Sequence, residues 1–144
     1  MSRLSEAFQQ GRPALIPYVT AGYPDLTRLP GLIAALRDGG ADIIEIGIPF
    51  SDPLADGPVL QKAATAALEA GTKVRAILET VAEIAAQAPP LVFLTYINPV
   101  FRYGVAAFAR DAKAAGIEGL IIPDLPWLEA RDMRRAAEAS GMAD

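Results

Sequence analysis

Two chemically versatile residue types, cysteine and histidine, are absent from the sequence of 144 residues. The lack of cysteine excludes a disulfide framework and thiol chemistry. The lack of histidine removes the commonest general base and the commonest zinc ligand. Any acid–base catalysis would therefore fall to Asp, Glu, Tyr or Lys.

Two further absences bear on partners and location. The chain has 13 basic and 17 acidic residues, a net charge of -4 and no basic run, so we expect no nucleic-acid partner. No apolar run approaches the roughly 18 residues of a membrane span, and the N-terminus has no signal-peptide pattern. We therefore expect a cytoplasmic protein that does not bind a membrane.

Hydrophobic residues, in contrast, are abundant and make up 52% of the chain. The length suffices for a single domain, residues 1–144, with a substantial core. The apolar surplus indicates a sheet covered on both faces, or an apolar surface that a partner or further chain covers.

Apolar runs alternate four times with helical periodicities along the chain. Strands are predicted at 14–20, 42–47, 91–96 and 117–122. Helices are predicted at 3–10, 26–36, 59–70, 74–85, 105–112 and 127–140, with 97–101 as a loop. This order predicts an α/β fold of parallel strands joined by right-handed crossovers.

Four βα units are half of an eight-unit TIM (β/α)8 barrel, which needs about 250 residues. A weak internal repeat, offset by 76 residues, pairs the first two units with the second two. Residues 142–144 resemble the start of a fifth strand, so we expect a half-barrel truncated there. A doubly wound sheet of four strands is the alternative.

Glu45 ends the second predicted strand, where parallel βα folds gather their chemistry. Period two places it on the same face as Ile43 and Gly47. A carboxylate among isoleucines is costly to ionise, so its pKa should be raised, which suits a group that both takes and gives protons. Alternatively, Arg12 or Lys62 pairs with it in a purely structural role.

A proline-rich loop follows and carries two more carboxylates. Asp56 lies 11 residues after Glu45, and Asp52 stands in a Ser-Asp-Pro turn. Asp-Gly and Ser-Asp-Pro are also ordinary turn sequences. Pro49, Pro53 and Pro58 stiffen the loop, which indicates that its carboxylates are held in position.

Other polar groups stand at the ends of predicted strands. Tyr18 and Tyr96 could line the same pocket, Asn98 could present an amide to a partner, and Asp124 is a second candidate acid. A magnesium site at Glu45, Asp52 and Asp56 is possible from oxygen ligands alone. Their spacing matches no ligand motif, so we expect no metal.

Four stretches of the sequence are distinctive as motifs, namely EIGIPFSDPLADGP (residues 45–58), LIPYVTAGYPD (15–25), YINPVF (96–101) and PDLP (123–126). Together they resemble the tryptophan synthase alpha chain family. The resemblance extends over essentially the whole chain, but it includes only the first four βα units, the N-terminal half, of that family's barrel.

The resemblance implies a lyase of tryptophan biosynthesis that cleaves indole-3-glycerol phosphate to indole and glyceraldehyde 3-phosphate by a retro-aldol reaction. Glu45 then matches the general acid–base, and Asp56 matches the carboxylate that accepts the indole N–H. Tyr18 and Tyr96 would bind the indole.

The resemblance also implies a partner. Asp52, Pro53 and Asn98 would face the beta chain in an alpha2beta2 heterotetramer. That beta chain carries the pyridoxal phosphate, and the alpha chain uses no cofactor. In this family the phosphate of the substrate is held by loops of the second half-barrel.

We therefore expect the 144-residue chain alone to be nearly inactive and to self-associate. Two alternatives remain, which are another phosphate-binding TIM-barrel enzyme and a non-catalytic half-barrel that serves in assembly.

Overall fold

A sheet of four parallel strands forms the centre of the fold in the computed structural model, which describes residues 2–142. The strands are β1 (Tyr18–Thr20), β2 (Ile44–Gly47), β3 (Leu91–Leu94) and β4 (Ile117–Ile121). Their order in the sheet is the order in the chain. A doubly wound sheet reverses its strand order at a switch point, so the sequential order is that of a barrel segment.

Seven helices connect and flank the strands within the described residues. They are α1 (Arg3–Ala7), α2 (Leu29–Asp38), α3 (Pro58–Glu69), α4 (Val74–Ile84), α5 (Ile97–Tyr103), α6 (Val105–Ala114) and α7 (Arg131–Ala139). Short 3₁₀ turns at Leu26–Arg28 and Ala85–Gln87 precede α2 and follow α4. None of these helices is long and apolar enough to cross a membrane.

One face of the sheet packs against the helices and forms the main core. Ile44, Ile46 and Phe93 belong to this cluster and are fully buried. Helix α6 contributes Phe108, whose ring centroid lies 6.1 Å from that of Phe93. Burying a side chain of this size contributes about 1.5–3 kcal/mol, so this layer holds the strands in place.

The opposite face carries a smaller cluster at the amino ends of the strands. Leu4 and Ala7 of α1 pack there against Ile43 and Val92. In a barrel this face is the interior, and it continues towards the carboxyl ends as the row that contains Glu45.

Two arginines near the start of the chain tie this amino end together. Arg3 forms a 2.8 Å ion pair with Glu118 and donates a 2.7 Å hydrogen bond to the carbonyl of Ala88. Arg12 forms a 2.7 Å ion pair with Asp42. The segment before β1 is thereby fixed to the starts of β2 and β4.

Several local expectations need correction. The predicted first strand shortens to Tyr18–Thr20, although the carbonyl of Pro17 still accepts the N–H of Glu45 at 2.9 Å. The stretch 97–101, expected as a loop, belongs to α5. The last helix begins at Arg131 rather than near residue 127. The expected fifth-strand start at 142–144 falls mostly outside the described residues.

Among the described residues, β1 and β4 each pair with one strand only. The edge position explains why Pro17, which has no N–H to donate, is tolerated beside β1. Three large apolar residues before β1 and at the end of β4 are exposed, namely Leu15, Ile16 and Ile121. This apolar surface is one that a further strand or a partner would cover.

Candidate active site

Glu45 lies on the inner face of β2, beside Tyr18 of β1 and Val92 of β3 in the sheet register. The carboxylate is half-buried, and burial raises its pKa above the usual range, as the sequence predicts. The two cations offered as structural partners do not pair with it. Arg12 binds Asp42 instead, and Lys62 lies exposed on α3.

Tyr18 is held across the inner face by its contact with Gly47. The tyrosine ring occupies the space that a side chain at position 47 would need. Its hydroxyl accepts a 3.3 Å hydrogen bond from Thr20. Burial raises the pKa of Tyr18, the Thr20 bond opposes this, and the charges of Asp56 and Glu45 raise it further. The phenol is therefore within electrostatic reach of both carboxylates.

Asp56 is fixed by hydrogen bonds at its side chain and at both of its backbone polar groups. Its Oδ1 accepts the hydroxyl of Tyr96 at 3.1 Å. Its carbonyl accepts Nε2 of Gln61 at 2.8 Å, and its N–H donates to the carbonyl of Pro53 at 3.2 Å. The loop carboxylate is thus positioned, as the prolines of this loop predict.

Tyr96 connects this loop to the end of β3. It is buried, and its hydroxyl accepts the N–H of Ala55 at 3.0 Å while donating to Asp56. Its ring stacks on Phe50 with centroids 5.7 Å apart. Burial is the largest cause of its raised pKa, so the phenol stays protonated and keeps its donor. Tyr96 therefore fixes the carboxylate of Asp56 through a direct hydrogen bond.

The structure places two of the predicted site residues, Tyr18 and Glu45, side by side on β1 and β2. The other two, Asp56 and Tyr96, lie beyond the carboxyl ends of β2 and β3 and contact each other. The residues predicted for a partner lie elsewhere, Asp52 and Pro53 on the loop after β2 and Asn98 in the first turn of α5. Asp52 accepts a 2.8 Å bond from the hydroxyl of Ser51, and Asn98 is exposed near the start of α5. The other candidate acid, Asp124, accepts the N–H of Ile97 at 3.0 Å and so caps α5.

Sequence reasoning misses three residues of the site: Gly47, Phe50 and Gln61. The first had a readable signal, because a glycine inside a strand often marks the close approach of another group. Phe50 and Gln61 act through contacts that only the folded loop creates, and no local pattern indicates them.

Large apolar side chains are also exposed beyond the carboxyl ends of β2, β3 and β4, on loops and, for Phe101, on helix α5. These are Leu54 (85% exposed), Phe101 (60%), Trp127 (70%) and Leu128 (87%). We call them the loop-tip residues. Among residues 2–142 there is no group of three or more acidic side chains arranged to hold a metal ion.

Parallel βα units in sequential order define a domain of the (β/α)8-barrel class, and residues 2–142 form four such units. The sequence profile of the family described as Tryptophan synthase alpha chain matches residues 4–144. The chain belongs to this family.

Individual relatives agree with the profile. The chain is 46% identical over 148 residues to the tryptophan synthase alpha chain of Rippkaea orientalis, covering 99% of this chain and 55% of the relative. It is 46% identical over 132 residues to that of Clostridium kluyveri, covering 91% and 50%. The chain thus spans about half the length of these curated relatives.

Solved structures show the same likeness. The ligand-free tryptophan synthase of M. tuberculosis superposes with a TM-score of 0.93 at 45% identity, covering 99% of this chain and 59% of that one. The alpha chain of Legionella pneumophila gives 0.92 at 34% identity, covering 99% and 55%. A half-barrel of four βα units agrees with these partial coverages.

Proposed function

We propose that this chain supplies the two catalytic carboxylates of a carbon–carbon lyase. The reaction is the retro-aldol cleavage of indole-3-glycerol phosphate to indole and glyceraldehyde 3-phosphate. One observation carries the proposal: the half-buried carboxylate of Glu45 lies beside Tyr18 on the inner face of the sheet, and the carboxylate of Asp56 on the following loop is held by the hydroxyl of Tyr96.

Glu45 is suited to the proton transfers. Cleavage breaks the bond between indole C3 and the adjacent glycerol carbon, whose hydroxyl loses its proton and becomes an aldehyde. Indole C3 gains a proton, so no net proton is consumed. A carboxyl group whose pKa is raised by burial can protonate C3 and accept the hydroxyl proton near neutral pH.

Asp56 is suited to the charge that forms on the ring. Protonation at C3 makes the indole cationic, and its N–H becomes a stronger donor. The carboxylate of Asp56, held by Tyr96 and by its own backbone bonds, would accept that N–H without rearranging. Tyr18 and Tyr96 would line the pocket around the ring.

The remaining parts of the lyase would come from outside the described residues. A chain that spans about half of its relatives would need the rest of a barrel to hold the phosphate group. We therefore propose little or no activity for the 144-residue chain alone. The chain would bind no cofactor of its own. Its cytoplasmic location remains a prediction.

The partner we propose is a tryptophan synthase beta chain, which would carry the pyridoxal phosphate and consume the indole in an alpha2beta2 assembly. Asp52 and Pro53 lie on the same loop as Leu54, and Asn98 lies on the same helix, α5, as Phe101. Exposed apolar side chains next to polar turn residues are typical of a protein interface.

The decisive experiment replaces Glu45 by Gln in a complete barrel, made by joining this chain to the second half of a related alpha chain. Turnover of indole-3-glycerol phosphate should fall by about 10²- to 10⁴-fold with little change in KM. Glu69→Gln, on the exposed end of α3, is the matched control. If the Glu45 variant keeps its rate, the proton-transfer role is wrong.

A different phosphate-binding barrel enzyme would not need the tethered Asp56, and an assembly module would need neither carboxylate. The tether through Tyr96 and the membership in the alpha chain family favour the lyase over both alternatives.

A further inference from the structure

A second concave site lies on the helix-facing side of the loop after β2. It is a groove of about 790 Å³ between that loop, the start of α4 and helices α5 and α6. Ile48, Phe50, Ile77 and Tyr103 supply apolar lining. Ligand sites commonly have volumes of about 300–1,000 Å³ with mostly apolar walls and a few polar groups, so the groove has the size and lining of such a site.

The charges around this groove are opposite in sign to those of the chain as a whole. Lys73, Arg75, Arg102 and Arg110 line it, with Asp111 as the only acid among its lining residues. That acid is engaged, because it accepts the hydroxyl of Tyr103 at 2.7 Å and Nε of Arg110 at 2.9 Å. We call this site the basic groove.

Within residues 2–142, the other three cations that line the basic groove have no hydrogen-bond or ion-pair partner. Arg75 lies over the ring of Tyr103, with its guanidinium carbon 5.7 Å from the ring centroid, while Lys73 and Arg102 are exposed. A local excess of positive charge above an apolar floor, on a protein of net charge -4, complements an anion that also has an apolar body.

We infer that the basic groove binds a small organic anion, with an aromatic or branched apolar body on Ile48, Phe50 and Tyr103. Its carboxylate or phosphate head would pair with Lys73 and Arg102. Neither Glu45 nor Asp56 is among the residues that line the groove, so the inference does not depend on the lyase reaction.

The basic groove is connected to the candidate active site through the side chain of Phe50. Phe50 forms part of its lining and stacks on Tyr96 at 5.7 Å. Tyr96 in turn holds the N–H of Ala55 and the carboxylate of Asp56. A ligand that immobilises Phe50 would therefore reduce the opening of the loop that carries Asp56.

The test is a titration of the ¹⁵N-labelled chain with phenyl phosphate and with phenylacetate, and with benzyl alcohol as the neutral probe. Both anions should shift the amides of Ile48, Phe50 and Arg102 saturably, and benzyl alcohol should not. The double variant Lys73→Gln/Arg102→Gln should raise both dissociation constants at least about fivefold. Arg131→Gln, an exposed change on α7, should leave them unchanged.

Three outcomes would overturn the inference. One is that the double variant and the parent chain bind the two anions with equal affinity, while the dispersed spectra of both show that they are folded. Another is a set of shifts that centres on Tyr18 and Glu45 instead of the basic groove. The third is binding of a hexaglutamate peptide at least tenfold tighter than either small anion, which would assign the groove to an acidic protein segment.

Hydrogen exchange tests the coupling separately. Saturating phenyl phosphate should slow exchange of the Ala55 amide at least about twofold, whereas exchange in α7 should stay the same. Unchanged exchange at Ala55 would overturn the coupling. Neither readout requires catalysis, so a failed lyase assay and a failed binding test remain distinct results.

Discussion

The ring of Tyr18 lies directly over Gly47, in the space where any larger residue would place its Cβ. The Gly47→Ala substitution should therefore displace the tyrosine from its place beside Glu45. We expect a loss of about 1–3 kcal/mol in the free energy of unfolding, as for other overpacked sites. Urea denaturation of the chain measures this loss.

Gly31 provides the matched control for that substitution. It lies inside α2, and nothing approaches within 4 Å of a Cβ built there. Gly31→Ala should be neutral or stabilising, because alanine is the better helix former. The Tyr18→Ala/Gly47→Ala pair should be clearly non-additive. Additive losses would mean that the two residues do not compete for the same space.

Tyr96→Phe should loosen the loop that carries Asp56. The change removes one acceptor from the N–H of Ala55 and one donor to the carboxylate, while the ring and its stacking on Phe50 remain. A lost bond of this type costs about 1–1.5 kcal/mol, so exchange of the Ala55 amide should become about tenfold faster. Hydrogen exchange followed by NMR measures it.

Tyr103→Phe controls for the loss of a phenol hydroxyl. That hydroxyl donates to Asp111 and makes no contact with the Asp56 loop. Exchange at Ala55 should therefore stay as in the parent chain. Equal acceleration in both variants would indicate a general loss of stability, and the tethering role of Tyr96 would then be wrong.

Acid should weaken the amino end of the sheet through Asp42. The Arg12 guanidinium, followed by the N–H of Leu15, lowers the pKa of this carboxyl to about 2. The unfolded value is about 3.9, so ionised Asp42 stabilises the fold above that pH. This contribution is lost as the pH falls from about 4 towards 2.

Arg12→Gln tests this pH dependence. The variant should be less stable than the parent at pH 7, and the two should converge as the pH falls towards 2. Denaturant unfolding at several pH values measures the difference. For Arg135→Gln, an exposed change on α7, the free energy of unfolding should depend on pH as it does in the parent chain. A stability deficit for Arg12→Gln that is independent of pH would contradict the assignment to Asp42.

The 144-residue chain should associate with itself through its inner face and free strand edges. Its weight-average sedimentation coefficient should rise between about 1 and 100 µM, a range in which exposed strand edges drive association. Ile121→Lys places a charge on the inner face at the exposed end of β4 and should reduce this rise. If Leu128→Lys reduces it instead, the loop-tip residues are the contact surface.

Much of the fold is readable from local pattern. The strand predicted at 42–47 and the helix that contains Ile77 and Val81 have unambiguous periodicity, and both form, although the strand begins at Ile44. Helix α5 is missed because Asn98-Pro99 is a turn signal. In the fold Pro99 sits in the first turn of α5, where no N–H is needed, and Asp124 caps that helix from 27 residues away.

The candidate site, like the fold, is predictable from the sequence only in part. The inward direction of Glu45 follows from period two and from its position at a strand end, and its raised pKa follows from its apolar neighbours. The hydrogen bond from Tyr96 to Asp56 cannot be predicted from the sequence, because the two residues are 40 positions apart. They meet only because β2 and β3 are neighbours in the sheet.

The contacts of Arg3 impose an order of events on biosynthesis. Its ion-pair partner Glu118 lies 115 residues further along the chain, so helix α1 cannot reach its final place until β4 has left the ribosome. At 5–20 residues per second this delay is roughly 6 to 23 seconds. Val92 is made only 26 residues before Glu118, so Ile43 and Val92 lack their cover together for roughly 1 to 5 seconds. A chaperone that shields nascent chains would have its clearest target there.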